Sequence, residues 1–241
     1  MFYRRFFPLI MVVTFAAAAV FAEPGVGEKS DKRNTRVLTP LNIAILIQDD
    51  LISQVGNELG VTRDFINSLP AGSRVMVGYI TSGSLQVRQP FTTDLDKAAR
   101  SLRIPLASTA ASSFNPYVEV IEALRRFDAS WKGKSAVLLV SDGLDVSHGF
   151  DSSAAGNTLD LRRAIEHANE RNVAVFAFYA PSVGLTSRSG IAASYGQSSL
   201  NRLANETGGK AFFQGTTGFV SFNPYFRRLR EALNEQYAKA Y

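Results

Sequence analysis

Three stretches of this chain admit few folds. LNIAILI (41–47), AVLLV (136–140), which runs into the acid of AVLLVSDG (136–143), and VAVFAFYA (173–180) are apolar runs broken only by Asn42. A strand with one wet face alternates apolar and polar residues. A continuous run means that both faces are covered, as in the parallel sheets of α/β proteins. Between the runs, apolar residues recur at helical spacing. Val55, Leu59, Ile66 and Leu69 form one such set, stopped by Pro70 and Gly72. Tyr117, Ile121 and Leu124 form a second, opened by Asn115-Pro116, and Leu161, Ile165 and Ala168 a third. This alternation predicts an α/β fold: a Rossmann-like, doubly wound, mostly parallel sheet with helices on both faces and right-handed crossovers.

Smaller elements complete the pattern. RVMVGYIT (74–81) and LQVRQPF (85–91) flank Ser82-Gly83-Ser84, which predicts a hairpin and one antiparallel edge strand. Thr93 and Asp96 have the spacing of a capping box that opens a short helix closed by Pro105. The small, polar stretch 106–113 and the Ser/Gly-rich stretches 146–157 and 181–197 predict loops. SLNRLANET, stopped by Gly208-Gly209, predicts a helix, KAFF a short strand, and Phe226, Leu229, Leu233 and Tyr237 a last helix. SFNPY occurs at 113–117 and again at 221–225. Asn at the cap with Pro in the first turn favours helix initiation, so both copies read as helix starts.

The amino terminus has a different character. Arg4 and Arg5 precede an apolar stretch that ends in Val20-Phe21-Ala22. This pattern predicts a signal peptide over 1–22, cut after Ala22, and an exported, periplasmic or secreted protein. Residues 23–36, EPGVGEKSDKRNTR, read as a flexible leader, and 37–241 as one domain. GVGEKS lacks the second glycine and the preceding strand of a phosphate-binding loop. Removing two arginines lowers the net charge of +5 by two. That balance, with no basic cluster among aromatics, speaks against a nucleic-acid partner. No later stretch is long and apolar enough to predict a stable membrane span. With no cysteine, disulfides, thiolate metal sites and cysteine nucleophiles are excluded.

LNIAILIQDD with SLPAGSRVMVGYI, AVLLVSDGLD, LANETGGKAFF and LREALNEQYAKAY occur in an order and spacing that resemble a von Willebrand factor A (VWA) domain. The resemblance is to the bacterial exported subgroup and covers about residues 39 to 241. It implies a binding role, usually toward proteins, through loops at the carboxyl end of the sheet. Many members bind through a metal-ion-dependent adhesion site. There an Asp-x-Ser-x-Ser loop, a Thr from a second loop and an Asp after a later strand hold Mg²⁺ or Mn²⁺, and the partner adds a carboxylate.

Here Asp142 matches the later aspartate. Starting the first loop at Asp49 puts Leu51 on one serine and Ser53 on the other. Aligning without a gap puts Gln48 on the aspartate, with Asp50 and Ile52 on the serines. Ser113 is the nearest hydroxyl for the threonine, with Phe114 beside it. The candidate metal ligands are therefore Asp49, Asp50, Ser53, Ser113 and Asp142, in a degenerate site. The bland alternative makes Asp49 and Asp50 caps of the following helix, and Asp142 a turn residue before Gly143.

The leading expectation is an exported, non-enzymatic binding domain whose partner is a protein or envelope component. Asp49 and Asp142 would meet on one exposed edge, with a divalent site that is weak or lost. The alternatives are a metal-assisted hydrolase using Asp49, Asp50 and Asp142, with His148 the only candidate base, and a structural subunit of an envelope assembly. No Gly-x-Ser-x-Gly elbow exists. His167 reads as a surface residue, and Trp131 as packing at the amino-end edge.

Overall fold

The computed structural model of the chain describes residues 39–149, 157–215 and 220–238. The predicted signal peptide and leader lie outside them, as does most of the loop expected at 146–157. Among the described residues one sheet contains β1 (Leu41–Gln48), β2 (Arg74–Thr81), β3 (Ser84–Thr92), β4 (Lys134–Ser141), β5 (Val173–Tyr179) and β6 (Ala211–Phe212). Their order is β3-β2-β1-β4-β5-β6. All neighbours are parallel except β2 and β3, the expected hairpin, which places an antiparallel strand at one edge.

The apolar runs are buried because helices cover both faces. Leu41, Ile43, Ile45 and Ile47 point to one side, packed with α1 (Leu59–Asn67), α2 (Leu95–Arg100) and α6 (Asn223–Ala238). Ala44 and Leu46 point to the other, packed with α3 (Pro116–Leu124), α4 (Leu159–Glu170) and α5 (Gly190–Glu206). The last helix docks through aromatic rings. Phe178 lies 4.9 Å from Phe226 and 5.2 Å from Tyr225, and Phe226 stacks on Phe65 at 4.6 Å. Each such pair contributes about 0.5–1.5 kcal/mol beyond its buried area.

Strand order reverses between β1 and β4, where crossovers leave toward opposite sides and open a crevice beyond the strand ends. Gln48 and Ser141 end those two strands, so the chain's own topology selects their neighbourhood.

Three local expectations change. The segment expected as a single helix from Val55 begins as a 3-10 turn over Ser53–Glu58 and becomes α-helical at Leu59. The short helix α2 is capped by Asp94, whose side chain accepts from Lys97 N at 2.8 Å, and not by Thr93. The loop expected over 181–197 is shorter, because α5 starts at Gly190, with Ser189 accepting from Ala192 N. Small residues that read as loop serve instead for close approach. A Cβ on Gly196 would sit 1.9 Å from Asp142 O, so only glycine lets α5 reach the end of β4. The Asn-Pro reading holds: Asn115 accepts from Tyr117 N at 3.1 Å, and the second copy opens α6.

Candidate functional site

β-strand parity separates the two adjacent acids. Gln48 follows Leu46 onto the face of α3, α4 and α5, and Asp50 reaches the same side. Asp49 turns away. Its carboxylate, at 0% exposure, receives both Arg103 guanidinium nitrogens at 2.6 Å, Thr81 Oγ1 at 2.7 Å and Leu106 N at 3.0 Å. Arg103 also lies over the Tyr79 ring, 4.0 Å from its centroid. Burial pushes the Asp49 pKa up, but the bonds from Arg103, Thr81 and Leu106 outweigh it and hold the carboxyl below its ordinary value. Asp49 is thus the anchor of the 103–107 loop, whose Ala107 N also bonds Asp49 O.

On the other side, Gln48 organises the site. Its Oε1 accepts from Ser141 Oγ at 2.6 Å and from Asp142 N at 3.3 Å. Those two contacts fix which end of the amide is oxygen, because a backbone N–H only donates. The Nε2 therefore faces the acids, and donates to Asp50 Oδ1 at 2.7 Å and to Asp142 Oδ1 at 3.2 Å. Asp142 also accepts from Leu144 N at 3.1 Å and from Thr186 Oγ1 at 3.1 Å. Burial raises the Asp142 pKa, against the bonds from Ser182, Leu144 N, Gln48 and Thr186. Burial, then the charge of Asp142, pushes the Asp50 carboxyl up to about 7, opposed by the Gln48 amide and the Ser112 hydroxyl.

These groups form the floor of a cleft of about 400 Å³. Asp50 and Asp142 are each 4% exposed, and Ser113 is buried beside them. The walls are Leu144, Val146, Phe114 and Leu185, the last two 50% and 41% exposed at the mouth. The loop after β5 closes one side: Val183 N bonds Asp50 O at 2.9 Å and Leu51 bridges to Ser182. A larger cleft of about 730 Å³ lies between the β2–β3 turn, α3 and α4. Its charges cancel locally, with Arg125 and Arg126 on Glu122 and Arg163 on Asp160, so it presents no field of one sign.

Of the five candidate ligands, Asp50, Ser113 and Asp142 converge on the cleft, while Asp49 and Ser53 do not. Ser53 is exposed at the start of the 3-10 turn. The acids are sunk beneath the rim; the expected exposed edge joining Asp49 to Asp142 is replaced by a recessed pair, Asp50 and Asp142. The helix-cap alternative is not realised either, since Ile52 occupies that cap and no side chain bonds there. His148 is exposed and lines a neighbouring depression with Asp145 and Leu159. His167 is at the surface near Glu170, and Trp131 packs with Arg74 at the amino end, both as expected. Gln48, Ser112, Ser182 and Thr186 were not among the candidates. The even parity of Gln48 and Asp50 along β1 is the signal that could have found the first of them.

A divalent cation requires oxygen ligands at about 2.0–2.1 Å for Mg²⁺. Here the Gln48 amide hydrogens lie between the two carboxylates, where that cation would sit. Among the described residues no three His, Asp or Glu side chains converge as a ligand set. The donors as arranged do not fit Mg²⁺ or Mn²⁺.

No family model matches the sequence, and no curated protein matches it. Solved structures do match the fold. An aerotolerance-related membrane protein from Bacteroides fragilis is 12% identical, with a TM-score of 0.56 over 81% of this chain and 99% of its own. The conserved hypothetical protein BatB from Bacteroides thetaiotaomicron is 13% identical, with a TM-score of 0.51 over 82% and 98%. The Rpn10 VWA domain is also 13% identical, with a TM-score of 0.50 over 83% and 95%. The chain has a VWA-like fold, as its sequence motifs indicated.

Proposed function

We propose that this chain is an exported, non-enzymatic binding domain that engages a protein of the cell envelope through the cleft at the carboxyl end of its sheet, without a divalent cation. The observation that carries the reading is the Gln48 amide bonded to both Asp50 and Asp142, at the place where a VWA domain of the adhesive kind would hold its metal. The VWA-like fold supports an interaction role. Export rests on Arg4, Arg5, the apolar stretch and Val20-Phe21-Ala22. An envelope setting is consistent with the membrane protein of similar fold from B. fragilis. Among the described residues no helix is long and apolar enough to cross a membrane.

The hydrolase alternative needs a cation between the acids and a base beside them. The amide stands in that place, and His148 lies outside the cleft. A single pull-down from envelope extract tests the proposal. Capture should survive EDTA, should be lost in a Phe114→Asp, Leu185→Asp variant, and should persist in Lys132→Glu, which alters an exposed amino-end position. Capture that EDTA abolishes, or that both variants retain, contradicts it.

A further inference from the structure

We propose that the cleft is a socket for a lysine side chain of the partner protein, its ammonium received by Asp50 and its methylene stem laid along Leu144, Val146 and Leu185. This rests on the rim reading above and names what the rim recognises.

Charge complementarity is the first argument. Two carboxylates lie in the floor, and no Lys, Arg or His is among the described residues that line the cleft. Arg103, on the far side of β1, has both its terminal nitrogens on Asp49. Gln48 supplies hydrogen bonds but no charge. An acid pair under apolar walls feels little of the solvent's screening, so a cation that enters gains more than it would at an open surface.

The walls make the second argument. An ammonium on a four-carbon stem pairs a charged tip with an apolar shaft, and buries the shaft along apolar surface. The cleft has the matching order, apolar at the mouth and acidic at the floor. Phe114 is held at that mouth in left-handed backbone, φ 55°, which a bulky residue adopts only where its surroundings enforce it. Its N–H bonds Ser112 Oγ at 3.3 Å and its carbonyl accepts from Val146 N at 2.7 Å.

Oxygen count selects lysine over arginine. Gln48 takes Asp50 Oδ1; Gln48 and Leu144 N take Asp142 Oδ1; Thr186 takes Asp142 Oδ2. The Ser112 hydroxyl also reaches Asp50 and the Ser182 hydroxyl Asp142, so neither carboxylate offers two open oxygens. A guanidinium fork needs two oxygens of one carboxylate, whereas an ammonium is satisfied by one and by hydroxyls such as Ser112.

The test is amide-resolved NMR of the full-length protein with N-acetyl-lysine methylamide, and with its norleucine and arginine counterparts. The lysine compound should shift the amides of Leu144, Gly184 and Leu185 with a Kd of roughly 1–10 mM, the range open to a ligand this small. The norleucine compound should bind at least about tenfold more weakly, Asp50→Asn should weaken the lysine compound by a similar factor, and the arginine compound should bind no tighter. Equal binding of norleucine, undiminished binding in Asp50→Asn, tighter binding of arginine, or no shift at all overturns the socket. A photoreactive residue at position 114, tested in cells, keeps this failure apart from failure of the rim reading. An adduct that forms unchanged in Asp50→Asn overturns the socket and leaves the rim standing. An adduct absent from 114 yet formed from 132 overturns the rim itself.

Discussion

Gln48 and Asp142 stand 94 positions apart in the chain and share a 3.2 Å hydrogen bond across the reversal point of the sheet. The same amide nitrogen reaches Asp50 at 2.7 Å. A neutral group therefore holds two carboxylates at the spot where charge neutralisation would be worth most. It donates one hydrogen bond to each and supplies no neutralising charge.

Exchanging that amide for an acid should convert the site. In Gln48→Asp, three carboxylates crowd one buried floor, and repulsion should lower stability at neutral pH by on the order of 2 kcal/mol. Millimolar Mg²⁺ or Mn²⁺ should then raise the melting temperature, because a cation at a hundred times its Kd adds about 2.7 kcal/mol to the folded state. The unaltered protein should show no such rise. Thermal scans of both, with and without cation, give the answer; an equal rise in both contradicts the role assigned to Gln48.

Arg103→Met should be costly for a different reason. Asp49 is fully buried, and removing its cation leaves a charge with only Thr81 and Leu106 N as partners. Breaking such a pair costs roughly 3–5 kcal/mol, although the intact pair itself adds little over an apolar substitute. Urea denaturation should show that loss. Adding Asp49→Asn to Arg103→Met should recover a large part of it, since the neutral amide no longer carries an unpaired charge. Failure of the second change to recover anything contradicts the assignment.

The contrast between these two acids shows how much the sequence could reveal. The strand runs were legible because burial on both faces leaves a strong apolar record, and the hairpin because Ser82-Gly83-Ser84 marks its turn. Asp50 and Asp142 were legible because they follow the two apolar runs that end in acids, and Ser113 because it is the nearest hydroxyl for the threonine of the VWA motif. Asp49 was not, because its role depends on Arg103, 54 positions later, in a loop whose path no local pattern fixes. Period-two parity along β1 did carry the distinction between Asp49 and Asp50, since adjacent residues leave a strand on opposite sides. The early start of α5 was hidden for a similar reason: Ala192, Ala193 and Gly196 are small to allow contact, and small residues also compose loops.

That contact makes a prediction about Gly196. A Cβ there would lie 1.9 Å from Asp142 O, and one built on Gly143 would lie 2.4 Å from Gly196 O. Neither neighbour is a flexible side-chain tip, so backbone must move. Gly196→Ala should destabilise the fold by about 3 kcal/mol or more, well beyond the usual cost of a point change. The control is Gly190→Ala at the start of the same helix, where a Cβ meets nothing within 4 Å. Denaturant midpoints should fall for the first variant and stay near that of the unaltered protein for the second.

The acid pair should also leave its mark on the pH dependence of stability. The Asp50 carboxyl is at about 7 in the folded protein, against an ordinary value of 3.8, and Asp142 is shifted the same way. A raised folded-state value means that the folded protein holds its proton more tightly than the unfolded chain does. This stabilisation is fully present below the unfolded value and is lost as pH rises through the folded one. Asp49 has the opposite sign: its contribution is present above 3.8 and is lost as pH falls through its lowered value, in a more acidic window. Glu119, pushed up to about 7 by burial and then by Glu122, adds to the slope from Asp50 and Asp142, so the unaltered protein combines all three. Stability should therefore decline between about pH 4 and 7, by up to roughly 1.4 kcal/mol per pH unit for each proton involved. In Asp50→Asn the decline should shrink, and at about pH 8 the variant should be more stable than the parent by on the order of 2 kcal/mol. Glu119→Gln isolates the contribution of Glu119. Urea titrations across this range decide it: a parent and an Asp50→Asn variant with parallel profiles would mean that Asp50 is as well solvated as any surface acid, and that the cleft floor holds no strained charge for a lysine to relieve.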